Sequence, residues 1–171
     1  MFVDADGSVN KQEVRFSARA CAVPGTVAGV EFLRSRFGNS TNKELMAPAI
    51  KLAAQGFPVS AGLAYDLQRM KEELSKSAHV SDIFFNNGKA LLKGEILVQK
   101  QLAQTLKIIA DEGAGAFYSG SIAKEFTAWH LANKGMITMK DMKNYKIRQL
   151  APVTGTYRGY KIAAMPPPSS G

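Results

Sequence analysis

PGTVAGVEFLRSRFG, residues 24–38, sets the reading of this chain. Val27, Val30, Leu33 and Phe37 recur every three or four positions, the spacing that stacks side chains on one face of an α-helix. Thr26 or Gly25 would cap the start. Gly38 would end the helix, since glycine readily takes the backbone geometry found past a last turn. Working outward, Thr41-Asn-Lys-Glu44 is a capping box, in which the threonine hydroxyl and the glutamate carboxylate satisfy orphan amides at a helix start. The helix it opens meets Pro48, which should kink it or begin a second segment. Ala49, Ile50, Leu52 and Ala53 then continue to a stop at Gly56.

Phe57-Pro58-Val59 reads as extended. Ser60 caps a further helix with Leu63, Leu67, Met70 and Leu74 on its apolar face. Residues 78–97 change character, and the turn signal Asn86-Asn87-Gly88 suggests an irregular loop or a small hairpin. Helix resumes near Gln99 with a stripe of Leu102, Leu106 and Ile109, and Gly113 ends it. A short turn of helix follows at 116–120. Ile122, Phe126, Trp129 and Ala132 predict the apolar face of a longer helix stopped by Gly135. Thr138-Met-Lys-Asp141 is a second capping box, with aspartate in the usual glutamate place, and its helix should end near Tyr145. The β-branched and aromatic run around Tyr157-Arg158-Gly159 predicts two strands, about 147–156 and 160–164, joined by a tight turn. Pro166, Pro167 and Pro168 favour extended backbone after them. Upstream, Asp4-Ala-Asp-Gly7 reads as a turn. Its acids resemble a calcium loop, but the glycine and the closing glutamate of that pattern are missing. The expected organisation is an irregular segment at 1–22, a helical domain at 23–146, and β-strands with a PPPSSG turn at 147–171. The fold class is mainly α, a helical lobe with a short C-terminal β-hairpin.

The chain has 171 residues, 46% hydrophobic and 21% charged, a globular balance. A chain of this length can bury roughly 70% of its unfolded surface. No apolar run approaches the ~18 residues that a membrane helix needs, and the polar, acidic start MFVDADGSVN is unlike a secretory signal. The formal charge of +8 would suit nucleic acid, an anionic surface or an acidic partner. The lysines are scattered over many segments without a run, so a solvated basic surface is expected and no nucleic-acid partner.

Chemistry-bearing residues are sparse. Cys21 is the one cysteine; it has no disulfide partner within the chain and reads as a small buried hydrophobe. His79 and His130 stand 51 positions apart and show no metal-ligand spacing. Asp111 and Glu112 are adjacent, so their side chains diverge on a helix. Ser169 and Ser170 have no base near them in sequence. There is no phosphate loop and no Gly-x-Ser-x-Gly elbow. No catalytic, substrate-binding or metal residue is nominated, and no cofactor.

Seven blocks nevertheless form an ordered series. They are VPGTVAG (23–29), ELMAPAIKLAAQGFPVS (44–60), LLKGEILVQKQLAQTLKIIADEG (91–113), AFYSGSIAKE (116–125), GMITMKDMKNYK (135–146), GTYRGYKI (155–162) and MPPPSSG (165–171). In this order they resemble the large subunit of the γ-glutamyltransferase (γ-glutamyl transpeptidase, glutathione hydrolase) family, from about residue 20 onward. The resemblance implies a fragment of an αββα N-terminal nucleophile hydrolase whose precursor cleaves itself. The new N-terminal threonine of the small subunit attacks the γ-glutamyl carbonyl. Its own α-amine, with a pKa near neutrality, serves as base. Water or an acceptor amino acid then resolves the acyl-enzyme.

The family places that threonine and the oxyanion donors beyond the PPPSSG turn. An arginine that binds the α-carboxylate lies upstream, in a block resembling DFRE. No family catalytic residue therefore transfers to a position here; Arg15 and Arg19 lie nearest the upstream end, and neither sits in a matching motif. The segment alone is expected to be inactive. Its implied partners are the small subunit, the rest of the large subunit, and glutathione or other γ-glutamyl compounds. The implied location is periplasmic or extracellular. PGTVAG should start a helix with close backbone packing at Gly25 and Gly29, and Ser169 and Ser170 should cap a following helix. Strands excised from a sheet would expose an edge, open to self-association. The alternatives are a cephalosporin acylase, oxamate amidohydrolase or capsule depolymerase of the same superfamily, or a stand-alone basic helical binding module.

Overall fold

The computed structural model describes residues 2–167, so Ser169 and Ser170 lie outside the described residues. The segment expected to be irregular, described from residue 2, contains some regular structure. A turn at Asp4–Gly7 is closed by the Gly7 N–H donating to the Asp4 carbonyl at 3.0 Å, and Val3 bridges to Val9. Helix α1 (Lys11–Phe16) follows, capped by the Asn10 side chain, and then a 3-10 turn (Ala18–Ala20). Cys21 is exposed rather than buried. It follows the 3-10 turn in extended backbone, and the small apolar residue this stretch buries is Ala18.

Helix α2 (Thr26–Phe37) starts at Gly25 and stops at Gly38, as its glycines indicate. Its apolar face is not in a core: Val30, Leu33 and Phe37 are all exposed, Phe37 at 71%. Helix α3 (Asn42–Gln55) opens with the full Thr41–Glu44 capping box. It runs through Pro48 as one element, not two. Proline removes one amide donor, and the carbonyl of Glu44 that it would have served sits on an exposed turn where solvent can take its place.

The capping carboxylate is a pH-sensitive joint. Glu44 accepts from the Thr41 backbone N–H at 2.7 Å and from its hydroxyl at 2.8 Å. These bonds, the backbone one foremost, hold its pKa below the ordinary 4.5. A carboxyl whose folded pKa is depressed contributes stability above its ordinary value and loses it as pH falls through the folded value. Glu44→Gln should therefore melt below the wild type near neutral pH, and the gap should close in acid. Thermal melts from neutral to about pH 3 check this; a gap unchanged across that range would remove the carboxylate from the cap.

After α3 the chain forms strand β1 (Phe57–Pro58), helix α4 (Ala61–Arg69) capped by Ser60, a one-turn α5 (Lys71–Leu74), and helix α6 (Ala78–Phe84). The break at Met70 and the helix at 78–84 are not visible in the spacing. A two-residue hairpin, β2 (Phe85–Asn86) with β3 (Lys89–Ala90), turns at Asn87 and Gly88 with φ of 49° and 73°. Two positive φ values define the turn whose twist matches a hairpin. Strand β4 (Ile96–Leu97) pairs antiparallel with β1, Phe57 opposite Leu97. The Val59 N–H donates to the Glu95 carbonyl at 2.8 Å, and the Gln99 N–H to the Ala53 carbonyl at 2.9 Å. This clasp buries Val59 and Leu97.

Helix α7 (Lys100–Glu112) then runs antiparallel to α3: Ala53 meets Gln99 at one end, and Lys43 meets Asp111 at 3.1 Å at the other. The residues that α7 buries are Ala103, Ile109 and Ala110, while Leu102 of the expected stripe is exposed. Alanines on the contact face let two helix backbones approach closely, which leucines would prevent.

Helices α8 (Ala114–Tyr118), α9 (Ser121–Ala132) and α10 (Met139–Asn144) make the second packed region. Its centre is Ala123, Ile137 and Met142, with Val23, Phe117, Tyr118, Phe126 and Met139 around them. The buried face of α9 is Ala123, Thr127 and His130, one position round from the expectation; Trp129 and Ala132 are exposed, Trp129 at 51%. The second capping box, Thr138 with Asp141, forms in full. Last comes the hairpin β5 (Val153–Tyr157) and β6 (Tyr160–Ala164), turning at Arg158 and Gly159 with φ of 49° and 84°. Its first strand begins at Val153, and residues 146–152 are not strand. Among the described residues the β strands form three separate two-stranded antiparallel pairs rather than a C-terminal element alone.

Candidate functional site

Three of the sequence blocks meet at the start of α2. Tyr118, from AFYSG, donates its hydroxyl to the Pro24 carbonyl at 2.7 Å and accepts the Ala28 N–H at 3.1 Å. Tyr145, from MKDMKNYK, stacks on the Tyr118 ring, 5.5 Å between centroids and 5° between planes. A Cβ on Gly25 would collide with the Tyr145 hydroxyl and stand 2.9 Å from its Cζ. Gly25 is therefore glycine because a ring occupies its side-chain space. Gly29, expected to be packed as tightly, has nothing within 4 Å of a Cβ. The Tyr118 phenol is pushed above its ordinary pKa, chiefly by burial, so it stays protonated and keeps its donor role. Sequence reading missed this clamp because Tyr118 and Pro24 lie 94 positions apart; the only signal was that both fall in the ordered blocks.

His130 is 1% exposed. Its Nδ1 accepts the Ile137 N–H at 3.3 Å, which puts the proton of the neutral ring on Nε2. Nε2 is buried without a partner. Phe126 lies against the ring, 5.4 Å between centroids. A ring so enclosed shapes the corner between α9 and α10. His79 is exposed and lines a groove of about 330 Å³ with Asp82, Gln99 and Lys100. Among the described residues no hydrogen bond joins His79 to Asp82, and no three His, Cys, Asp or Glu side chains gather into a metal site.

Asp111 and Glu112 are both exposed. Asp111 takes Lys107 at 2.6 Å and Lys43 at 3.1 Å. Lys107 first and Lys43 second hold its carboxyl below the usual aspartate range. This is a tie between α3 and α7. Arg15 is exposed and Arg19 half-buried; neither forms an ion pair among the described residues. A groove of about 690 Å³ lies between α2 and the C-terminal hairpin, with Phe32, Phe37, Leu150, Pro152 and Met165 on its walls. It is mainly apolar, and among the described residues Arg148 is its one charged residue. These groups can bind and pack.

The family model described as gamma-glutamyltranspeptidase matches residues 1–171. The chain belongs to the γ-glutamyltranspeptidase family. The match begins at residue 1, so the resemblance reaches about twenty residues further upstream than the sequence blocks indicate. Among γ-glutamyltranspeptidase relatives, a glutathione hydrolase proenzyme of Pseudomonas sp. (strain A14) is 42% identical over 172 residues, covering 100% of this chain and 30% of that protein. The crystal structure of Helicobacter pylori gamma-glutamyltranspeptidase superposes with a TM-score of 0.94 at 38% identity, over 99% of this chain and 49% of that one. The transpeptidase CapD of Bacillus anthracis superposes at 0.79 with 39% identity, over 88% of this chain and 51% of that one. This chain thus spans about 30% of the length of the curated relative it matches. No helix among the described residues is long and apolar enough to cross a membrane.

Proposed function

We propose that this chain is part of a γ-glutamyltransferase that cleaves γ-glutamyl amides such as glutathione and passes the γ-glutamyl group to water or an amino acid. The observation that carries the reading is the family match along residues 1–171 with 42% identity to a glutathione hydrolase proenzyme. The reaction runs through a threonine acyl-enzyme after the precursor cleaves itself. That threonine, the oxyanion donors and the arginine for the α-carboxylate belong to the remainder of the enzyme, and no residue here does chemistry.

Residues 1–22 lead in, residues 23–146 form the helical part of the large subunit, and residues 147–171 carry strands for the central sheet. The exposed apolar faces of α2 and of the hairpin, with Val30, Phe37, Tyr157 and Tyr160 in the open, support a role as one part of a larger body. The small subunit and the rest of the large subunit would cover them, and the mature enzyme would work in the periplasm or outside the cell.

The test is an assay of the purified chain with a γ-glutamyl anilide. No release above buffer is expected. Turnover that a point substitution within residues 1–171 abolishes would defeat the proposal. A second reading keeps the chemistry and changes the substrate, supported by CapD matching at 39% identity, close to the 38% of the Helicobacter transpeptidase. Assay of the whole enzyme against glutathione, cephalosporin side chains, oxamate and poly-γ-glutamate separates the two.

A further inference from the structure

The antiparallel pair α3 and α7 leaves an open trough along one side. Its floor is Ile50 with Ala47, Ala54 and Ala110, and its volume is about 410 Å³. The rim carries Lys43, Lys51 and Lys107 against one carboxylate, Asp111, a balance of three positive to one negative. Asp111 is already held by Lys43 and Lys107, whereas Lys51 has no ion-pair partner among the described residues. A second groove of about 360 Å³ continues the seam past Thr41 and Gly113, sharing Lys43 and Asp111 and adding Arg34.

A groove between two packed helices is where a third helix seats, with axes about 8–10 Å apart when the floor is alanine. From this shape and charge we propose that the α3–α7 trough docks an acidic amphipathic helix of a partner protein, its apolar face on Ile50 and its carboxylates on the lysine rim. The chain's net charge of +8 would speed the encounter. Nucleic acid fits less well, because the trough offers no aromatic ring for a base to stack on. The inference does not depend on which amide the whole enzyme cleaves.

The test uses the full chain and a fluorescein-labelled helical peptide of roughly 18 residues, five turns, with leucine and alanine on one face and glutamate on the others. The same peptide with lysine for glutamate is the control. Anisotropy should show binding of the acidic peptide alone, weakening as salt rises. Lys51→Glu should weaken it about tenfold, as reversing a rim charge does. Ala47→Glu, which fills the trough from an exposed site, should weaken it as much, and Lys124→Glu on α9 should leave it unchanged. Circular-dichroism melts verify that each variant is folded. Equal binding of both peptides, insensitivity to Lys51→Glu and Ala47→Glu, or equal loss with Lys124→Glu would overturn the proposal. So would displacement of the peptide by RNA or anionic vesicles at matched charge, which would reduce the trough to general charge attraction. A chain dimer in sedimentation that Ala47→Glu breaks would assign the trough to a second copy.

Discussion

Gly135→Ala is expected to lower the stability of the full chain by about 3 kcal/mol, the upper range for overpacking a closed site, and its melting temperature by roughly 10 °C. The reason is His130. A Cβ on Gly135 would stand 2.6 Å from His130 Cγ and closer still to Nδ1 and Cε1. The ring cannot step aside, since it is fully buried and holds the Ile137 N–H. The end of α9 is tied to the same spot: the Gly135 N–H donates to the His130 carbonyl at 2.7 Å, and the Lys134 N–H to the Leu131 carbonyl at 3.1 Å. That pair of bonds is the six-to-one and five-to-two closure of a Schellman helix end. The left-handed position of this closure belongs to Lys134, φ 62°, not to the glycine. A double-mutant cycle tests the cause. His130→Ala alone should cost about 2–3 kcal/mol, from a cavity and an unpaired amide. With the ring gone, adding Gly135→Ala should cost under about 1 kcal/mol, a strong coupling. Additive losses would show that the ring is not what excludes a side chain at 135.

Gly56→Ala should be comparably damaging, by about 3 kcal/mol, but through two causes that one rescue cannot cure. Gly56 has φ 84° and ψ 168°, a region open to glycine and closed to other residues. Its Cβ would also meet Ile96 Cγ2 at 2.5 Å, Val98 Cγ2 at 2.8 Å and the Leu97 carbonyl at 3.0 Å. The clash falls on the clasp of β1 and β4 that joins α3 to α7. Gly88→Ala is the control: φ is 73° and nothing lies within 4 Å of its Cβ, so it should cost about 1 kcal/mol, from backbone strain alone. Ile96→Ala should recover little in the Gly56→Ala background, since the Leu97 carbonyl and the dihedral remain. Equal effects of Gly56→Ala and Gly88→Ala in chemical denaturation would strike out the steric part.

Much of the fold is legible where its cause is local. Both capping boxes, the Ser60 cap, the stops at Gly38, Gly56 and Gly113, and the turns at Asn87-Gly88 and Arg158-Gly159 need only residues within a few positions of one another. The ordered blocks carry the family for the same reason, since order along a chain is a property of the chain. Gly135 marks the end of α9 in the sequence, yet its necessity comes from the His130 ring rather than from its own dihedral. The apolar spacings of α2, α7 and α9 announce helices and misstate their buried faces. Leu33 and Phe37 stand open, Ala103 and Ala110 replace Leu102, and His130 takes the place that Trp129 was expected to hold.

The residue order by itself determined where helices begin, where they stop, which turns are tight, and to which family the chain belongs. Caps, glycine stops and block order act over a few bonds or along the backbone. Only the tertiary structure decided which side of each helix is covered, that strands 40 positions apart would clasp at Phe57 and Leu97, and that Tyr118 would clamp Pro24 across 94 positions. Burial and long-range hydrogen bonds depend on what stands opposite in space, and periodicity reports that a face is apolar without naming what covers it.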